Sequence, residues 1–401
     1  MQKKVLPILF ATLLLDMVGI GMVIPIIPII FTDPTSPAFL LVGYSRSMQL
    51  LFAGLVTAVF GLMQFIASPI LGELSDVYGR KRLLTVGVGV LAVSQMLFGF
   101  GVSIGALWLL LFSRAIAGIA GANVSIAQAS IADVTEPKDR AKNFGLIGAA
   151  FGIGFVLGPL LGGSIASMTG DAAAPFWFAG FLGILNVLFV TFFLPETHHM
   201  RATKQPFTFL KGVRNIQAAL LDRDVRFIYG ASFFYMSGFT FFTSFSGVLL
   251  VAQYGYTEAG IGTFFAVVGM WIVITQLFIL RFLTKLYSER KILRVSLLCL
   301  AASLALYPFM PTREFLYVLL PFLTIPQGLS MANMGALISK SVGAGKQGAA
   351  LGINSSLIAL AQGVVPILAG VGSGLLTVQA PFLAGALFVV IAWGLLFIPK
   401  R

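Results

Sequence analysis

Asp16 and Arg114 stand out because each interrupts a long apolar stretch of the chain. Asp16 lies 11 residues after Val5, or ~16 Å along a helix that rises 1.5 Å per residue. Arg114 lies 8 residues after Ala106, ~12 Å from the other end of such a layer. In an apolar layer of ~30 Å the two depths agree within a turn. A charge held there costs at least a few kcal/mol, so it is kept for a function or a pairing. A buried carboxyl group can take up and release a proton. Burial disfavours its charged form and a nearby guanidinium favours it, and that competition sets when the proton moves. The plainer reading is an ion pair that orients two helices.

Other side chains suit binding rather than bond-breaking. Gln64, Asn123, Gln128, Gln327, Asn333 and Asn354 are polar and uncharged within apolar runs. Phe233, Phe234, Tyr235, Phe239, Phe241, Phe242 and Phe245 crowd one segment. An apolar cavity with a few hydrogen-bonding groups would suit a lipophilic compound, cations included. We expect most of the seven aromatics to pack against lipid or other helices instead. No phosphate-cradling Gly-Lys-Ser/Thr element and no nucleophile motif occurs, so ATP hydrolysis and enzymatic chemistry lack support. His198 and His199 are adjacent and point to different sides of a helix, which reads as a solvated loop rather than a metal site. The single cysteine, Cys299, cannot form an internal disulfide. No cofactor and no metal is expected.

The elements that carry these residues follow from composition. The chain has 401 residues, 58% hydrophobic and 10% charged, with a mean hydropathy of +0.98. A soluble domain is about 25% charged. Residues 83–113, 227–257 and 347–399 carry no charge, and a membrane helix needs roughly 20 apolar residues. The chain therefore reads as an all-α polytopic membrane protein. Splitting at charge clusters and Gly/Pro/Ser turns predicts twelve spans, at 5–31, 47–71, 83–103, 106–132, 143–168, 175–195, 226–252, 259–281, 292–311, 314–339, 347–373 and 379–398. The start, Met1-Gln2-Lys3-Lys4 and an apolar run, has the layout of a signal peptide. The run is too long for one, carries Asp16, Pro25 and Pro28, and lacks a small-residue cleavage site.

The net charge of +12 is a topology signal. Of the 26 Lys and Arg, 23 fall at the termini and in alternate loops, while only Arg46 and Arg313 fall on the other side. Basic loops stay inside. Both termini and the central basic segment are thus expected in the cytoplasm, and no nucleic-acid partner is implied.

The two halves repeat. Leu74–Leu84 lies over Leu283–Leu293 at an offset of 209 residues, and Pro159–Gly163 over Pro366–Gly370 at 207. Gly145 lies over Gly352, and Pro175-Phe176 over Pro381-Phe382. Six spans per half keep one orientation, which predicts two six-helix bundles about an axis along the membrane normal. The bundles are 1–198 and 222–401. The linker 199–221 is expected on the cytoplasmic surface, where a short amphipathic helix is one of its options.

These residues bring a family resemblance. Gly72-Glu73-Leu74-Ser75-Asp76-Val77-Tyr78-Gly79-Arg80-Lys81-Arg82 resembles the loop 2–3 signature of the major facilitator superfamily. Leu111-Phe112-Ser113-Arg114-Ala115-Ile116-Ala117-Gly118 resembles the fourth-helix motif of its drug/proton antiporters. Gly154-Phe155-Val156-Leu157-Gly158-Pro159-Leu160-Leu161-Gly162-Gly163 resembles their fifth-helix antiporter motif, and Leu15 to Pro25 is similar to the first helix of tetracycline/proton antiporters. The chain departs from the tetracycline exporters at Ser94, where they carry an acid in helix 3. It also has no His after His199 and no membrane-centred acid after residue 226.

The resemblance implies the major facilitator fold and proton-coupled export of small lipophilic molecules by a monomer in the inner membrane, surrounded by lipid. It implies that helices 1 and 4 line a central cavity. Asp16 and Arg114 are then expected to face each other across water or to pair, with Asp16 as the proton carrier. It implies gating by Gly72, Asp76, Gly79, Arg80 and Asp133. Asp76 would approach the start of helix 11 near residues 346–348, and Arg80 would reach Asp133. Gly72 and Gly79 would allow tight turns. Gly154, Gly158, Pro159, Gly162 and Gly163 would pack helix 5 against helix 8 and resist leak. The cavity would draw on Gln64, Asn123, Gln128, Phe234, Tyr235, Phe241, Gln327, Asn333 and Asn354. Two other readings remain open: a proton symporter or uniporter for a sugar or organic anion, and a non-transporting receptor or scaffold.

Overall fold

In the computed structural model of the chain, the described residues are 2–136, 140–197, 225–342 and 347–398, with Val213, Arg214, Gln217 and Leu221 between. Among them there is no strand. Helices α1 (Gln2–Gly21) and α2 (Ile26–Thr32) make the first span, α3 (Arg46–Tyr78) the second and α4 (Arg80–Ser103) the third. The fourth is α5 (Leu107–Ala120) with α6 (Asn123–Val134); α7 (Arg140–Thr169) and α8 (Ala174–Phe193) follow. Beyond the linker come α9 (Arg226–Tyr254), then α10 (Glu258–Ile274) running through a π turn into α11 (Leu280–Leu286). The chain closes with α12 (Glu289–Leu306), α13 (Arg313–Lys340), α14 (Gln347–Leu375) and α15 (Ala380–Leu395).

Eleven of the described spans are long and apolar enough to cross a membrane, and α15 is a shorter apolar helix. All twelve predicted spans thus have a helical counterpart. The differences lie inside them. The first span breaks at residues 22–25, ahead of Pro28, and the fourth at Gly121-Ala122. The second is longer than expected. Its 33 residues reach ~50 Å, well past a ~30 Å apolar layer. Most of the expected loop signature is therefore helix. Gly72 lies inside α3 and makes no turn, contrary to expectation. Gly79 alone turns the chain, at φ 99°, a conformation that disfavours any side chain.

Two faces result. The start of α1, the α3–α4 turn and the ends of α6 and α8 share one, here called the basic face. On the opposite face the start of α3 meets the end of α14, where the Ser47 hydroxyl donates to the Gly374 carbonyl at 2.8 Å.

The repeat is visible as packing. Gly54 of α3 presses on the Pro366 carbonyl of α14, and Gly262 of α10 on the Pro159 carbonyl of α7. Gly61 meets Gln362 and Gly363, and Gly269 meets Phe155 and Val156. Gly370 meets Leu50 and Leu51, and Gly163 meets Glu258 and Ala259. Each contact on one seam has its counterpart about 207 residues away on the other. Without water to drive association, helices in lipid adhere through close packing, and glycine permits the closest approach.

Apolar residues occupy both kinds of environment. Phe242, Phe245, Phe264, Phe265, Tyr307 and Phe382 are fully buried, while Trp108, Phe192 and Phe278 point outward, as a lipid solvent requires.

Candidate functional site

Asp16 sits on α1 five residues before its end, and both of its carboxylate oxygens are held. Asn123 donates its amide N–H to Oδ2 at 3.0 Å, and Asn186 donates to Oδ1 at 3.0 Å. Asn186 also donates to the Thr12 carbonyl at 3.1 Å. Asn123 opens α6, immediately after the break in the fourth span. Its amide oxygen occupies the dent left by Gly87, where a methyl group would overlap it. Asn186 comes from α8 and is fully buried.

Arg114 of α5 is also buried, with different partners. Its Nη2 donates to Gln95 Oε1 at 3.4 Å, and its guanidinium lies over the Phe98 and Phe60 rings at 5.0 and 5.8 Å. Gln95 of α4 donates to the Gly19 carbonyl of α1 at 2.9 Å, one turn beyond Asp16. No ion pair joins Asp16 to Arg114 among the described residues, so of the two expected arrangements, facing across water or pairing directly, the direct pair is absent. The physical reason is that each charge finds nearer neutral partners. Two amides satisfy the carboxylate, while an amide oxygen and two aromatic faces hold the guanidinium. Ser94 is buried and bonds the Leu91 carbonyl of its own helix at 2.7 Å.

The second node lies on the basic face. Arg80 pairs with Asp76, one helical turn away, and with Asp133 at the end of α6, 3.0 Å from Nε. It also bonds the Ser75 hydroxyl and the Gly72 carbonyl. The expected Arg80–Asp133 contact is present. Asp76 turns to Arg80; of the segment 346–348 it was expected to approach, Lys346 lies outside the described residues. Glu196, beyond α8, accepts from the Arg80 and Lys81 backbone N–H groups at 3.0 and 3.3 Å. It caps the start of α4, where exposed N–H groups and the helix dipole favour an anion.

The glycines of α7 divide between two neighbours. Gly154, Gly158 and Gly162 pack on Met17, Val18, Gly21 and Met22 of the first span, whereas Gly152 and Gly163 face α10. The expectation of one glycine face turned to helix 8 is corrected for the first three. A four-residue spacing makes a single stripe, and that stripe faces α1. The α10 seam uses Val156, the Pro159 carbonyl and Gly163.

The expected cavity residues do not form one cluster. Gln64 bonds the Gly121 carbonyl at the span-four break, 3.1 Å away. Asn123 belongs to the Asp16 node. Gln128 is partly buried. Tyr235 donates to the Gln327 carbonyl at 3.3 Å, joining α9 to α13. Asn354 accepts from Ser232 at 2.6 Å, joining α14 to α9. Asn333 spends its amide on the Leu329 carbonyl of its own helix at 2.8 Å. Phe234 and Phe241 both pack edge-on against Phe388 of α15, and Phe241 is buried there, so it serves as core.

His198 and His199, most of the linker, and the side chains of Lys138, Arg140 and Lys142 lie outside the described residues. Among the described residues no group of three or more His, Cys, Asp or Glu could hold a metal ion. The sequence reading missed Asn186, Gln95, Glu196 and the Gly54/Gly61 and Gly262/Gly269 pairs. The equal seven-residue spacing of those pairs at one offset was a usable signal. Asn186 carried a weaker one, as a polar residue in the most apolar part of span six.

A family model described as Major Facilitator Superfamily matches residues 9–312 and 228–401. The chain is 28% identical over 391 residues to the tetracycline resistance protein, class C, of Escherichia coli, covering 92% of this chain and 89% of that one. It is 26% identical over 409 residues to multidrug resistance protein 2 of Bacillus subtilis (strain 168), covering 100% and 96%. Its fold matches the crystal structure of the human organic anion transporter MFSD10 with a TM-score of 0.75, at 23% identity, over 98% and 99% of the two chains. That last likeness is one of fold alone.

Proposed function

Because the chain belongs to the Major Facilitator Superfamily, we propose that it exports small lipophilic, drug-like molecules across the cytoplasmic membrane in exchange for protons. Resistance proteins for tetracycline and for multiple drugs align with almost its whole length, which supports the direction and the substrate class. The observation that carries proton coupling is Asp16: a single buried carboxylate in the first span, satisfied by amides rather than by an opposite charge. Such a group changes protonation without breaking an ion pair. It takes a proton from the outer side and gives it up inside, and substrate loading competes with that proton.

In this reading the bundles 1–198 and 222–401 rock about the site, joined by the linker 199–221, in a monomer surrounded by lipid. Both termini are cytoplasmic, so the basic face is the inner one. The Gly54–Pro366 and Gly262–Pro159 seams then close the outer side. Arg80, Asp76, Asp133, Gly72 and Gly79 form the inner gate, and an Asp76 engaged with Arg80 suits the state open to the cytoplasm. Tyr235, Gln327 and Asn354 contribute the polar groups on the second bundle's side.

A second reading is favoured by Arg114, which has no carboxylate partner among the described residues. An anionic substrate could supply one.

The test is proton release from acid-loaded everted vesicles on adding lipophilic cations, tetracyclines, neutral drugs, organic anions or sugars. Compound-triggered release that Asp16→Asn abolishes establishes antiport and names the class. Release by anions alone selects the second reading. Transport that persists with its proton coupling in Asp16→Asn rejects the carrier.

A further inference from the structure

The two amides on Asp16 are not equivalent. Asn186 is tied twice, to Asp16 Oδ1 at 3.0 Å and to the Thr12 carbonyl at 3.1 Å. Turning its amide over would set its oxygen against that carbonyl, acceptor against acceptor. Asn123 is tied once, to Oδ2 at 3.0 Å. The amide oxygens of both asparagines are buried without a hydrogen-bond partner, so the difference between them is the Thr12 tie. The Gly87 dent that holds the Asn123 oxygen leaves space for an NH2 group of similar size in its place.

An ionised carboxylate only accepts, so it suits two N–H donors. A protonated one has an O–H that must find an acceptor. If the proton sat on Oδ1 it would face a donor that cannot turn. On Oδ2 it faces Asn123, whose rotation offers the unpartnered oxygen. We propose that Asn186 and Asn123 are positioning residues that form an amide clamp on Asp16, in which Asn186 anchors one oxygen while Asn123 turns to read a proton on the other. Asn123 is the first residue of α6, directly after the break at Gly121-Ala122. The protonation state of the first span is thereby passed to the hinge of the fourth. The inference rests on the reading that Asp16 carries the proton.

Other groups around Asp16 do not compete for this role. The α7 face against α1 is Gly154, Gly158 and Gly162, which do not titrate. From α4 come Gly87 and Gln95, and Arg114 of α5 is held by Gln95, Phe98 and Phe60.

The experiment is infrared difference spectroscopy of the full chain in lipid during a pH titration, following the protonated-carboxyl band that Asp16→Asn removes. Asn186 donates to Oδ1 in both forms but more strongly to the carboxylate, so Asn186→Leu should move the band's midpoint to higher pH by about one unit, a tenfold gain in proton affinity. Asn123 donates to the ionised form and accepts from the protonated one, so Asn123→Leu should move it less. A second readout needs no variant. Selective isotope labelling of asparagine should show one side-chain amide band changing with the carboxyl band. An unmoved midpoint in Asn186→Leu, or an amide band blind to the titration, overturns the clamp. Absence of any band sensitive to Asp16→Asn overturns the carrier assignment and the clamp with it, whereas a titrating band that neither variant moves overturns the clamp alone.

Discussion

A buried guanidinium with one amide acceptor is held by little. Gln95 supplies that acceptor to Arg114 and fastens α4 to α1 through the Gly19 carbonyl. Gln95→Leu should therefore lower stability by about 1–3 kcal/mol, the range for a hydrogen bond to a charged group plus the group left unsatisfied. Reversible unfolding in detergent measures it, and a loss near zero would mean that the aromatic faces of Phe98 and Phe60 suffice. Gly87 acts at one remove. Gly87→Ala puts a methyl group where the Asn123 amide oxygen sits, and such overpacking costs typically 1–3 kcal/mol. Its functional signature should copy that of Asn123→Leu in the titration, although residue 87 itself touches no carboxylate. An unaltered titration would show that Asn123 has room to retreat.

At the scale of elements, α7 has two jobs on two faces. A side chain at Gly158 would come within 2.7 Å of the Gly21 backbone, and Gly163 presses on the α10 backbone at Glu258. Gly158→Val should split α1 from α7 and lower folded yield. Gly163→Val should instead loosen the seam on the opposite face and admit water-soluble thiol reagents to cysteines placed behind it. Equal outcomes would mean that α7 moves as a rod and that its faces are not separable. The cap on α4 belongs to this scale too. Glu196→Ala should cost about 0.5–2 kcal/mol by leaving the Arg80 and Lys81 N–H groups without their acceptor. Thermal unfolding checks it. Gly79 explains why the cap fits so closely: a side chain there would come within 2.5 Å of the Glu196 carboxylate.

For the whole molecule, the paired seams make a prediction that neither half makes alone. Ser47 and Gly374 touch across the opposite face. A disulfide between Ser47→Cys and Gly374→Cys should hold that face shut and arrest transport, with activity returning on reduction. Undiminished transport in the oxidised form would show that the seam does not open during the cycle. Because Gly54 and Gly262 occupy equivalent places, Gly54→Val and Gly262→Val should impair transport to a similar degree.

Several of these features were readable in the amino-acid order. Long uncharged runs have no other stable home than a lipid layer, so the spans followed from composition, and the skewed placement of Lys and Arg carried the orientation we propose. The repeat was present as offset motifs, and Asp16 and Arg114 announced themselves as charges where charge is costly. The Arg80–Asp133 contact came from the loop signature. What the order could not decide was which neighbour each side chain meets. Depth along a helix puts Asp16 and Arg114 at one level but says nothing of the rotation of α1 against α5, and that rotation delivers Asp16 to Asn123 and Asn186. The glycine stripe of α7 is visible as spacing, yet whether it faces α1 or α10 depends on how three helices cross. Asn186 looked like an isolated polar residue in an apolar helix because its partner lies 170 residues away. Hydropathy and charge act along the chain and are written in it. Pairing acts across the chain, and only packing in three dimensions sets it.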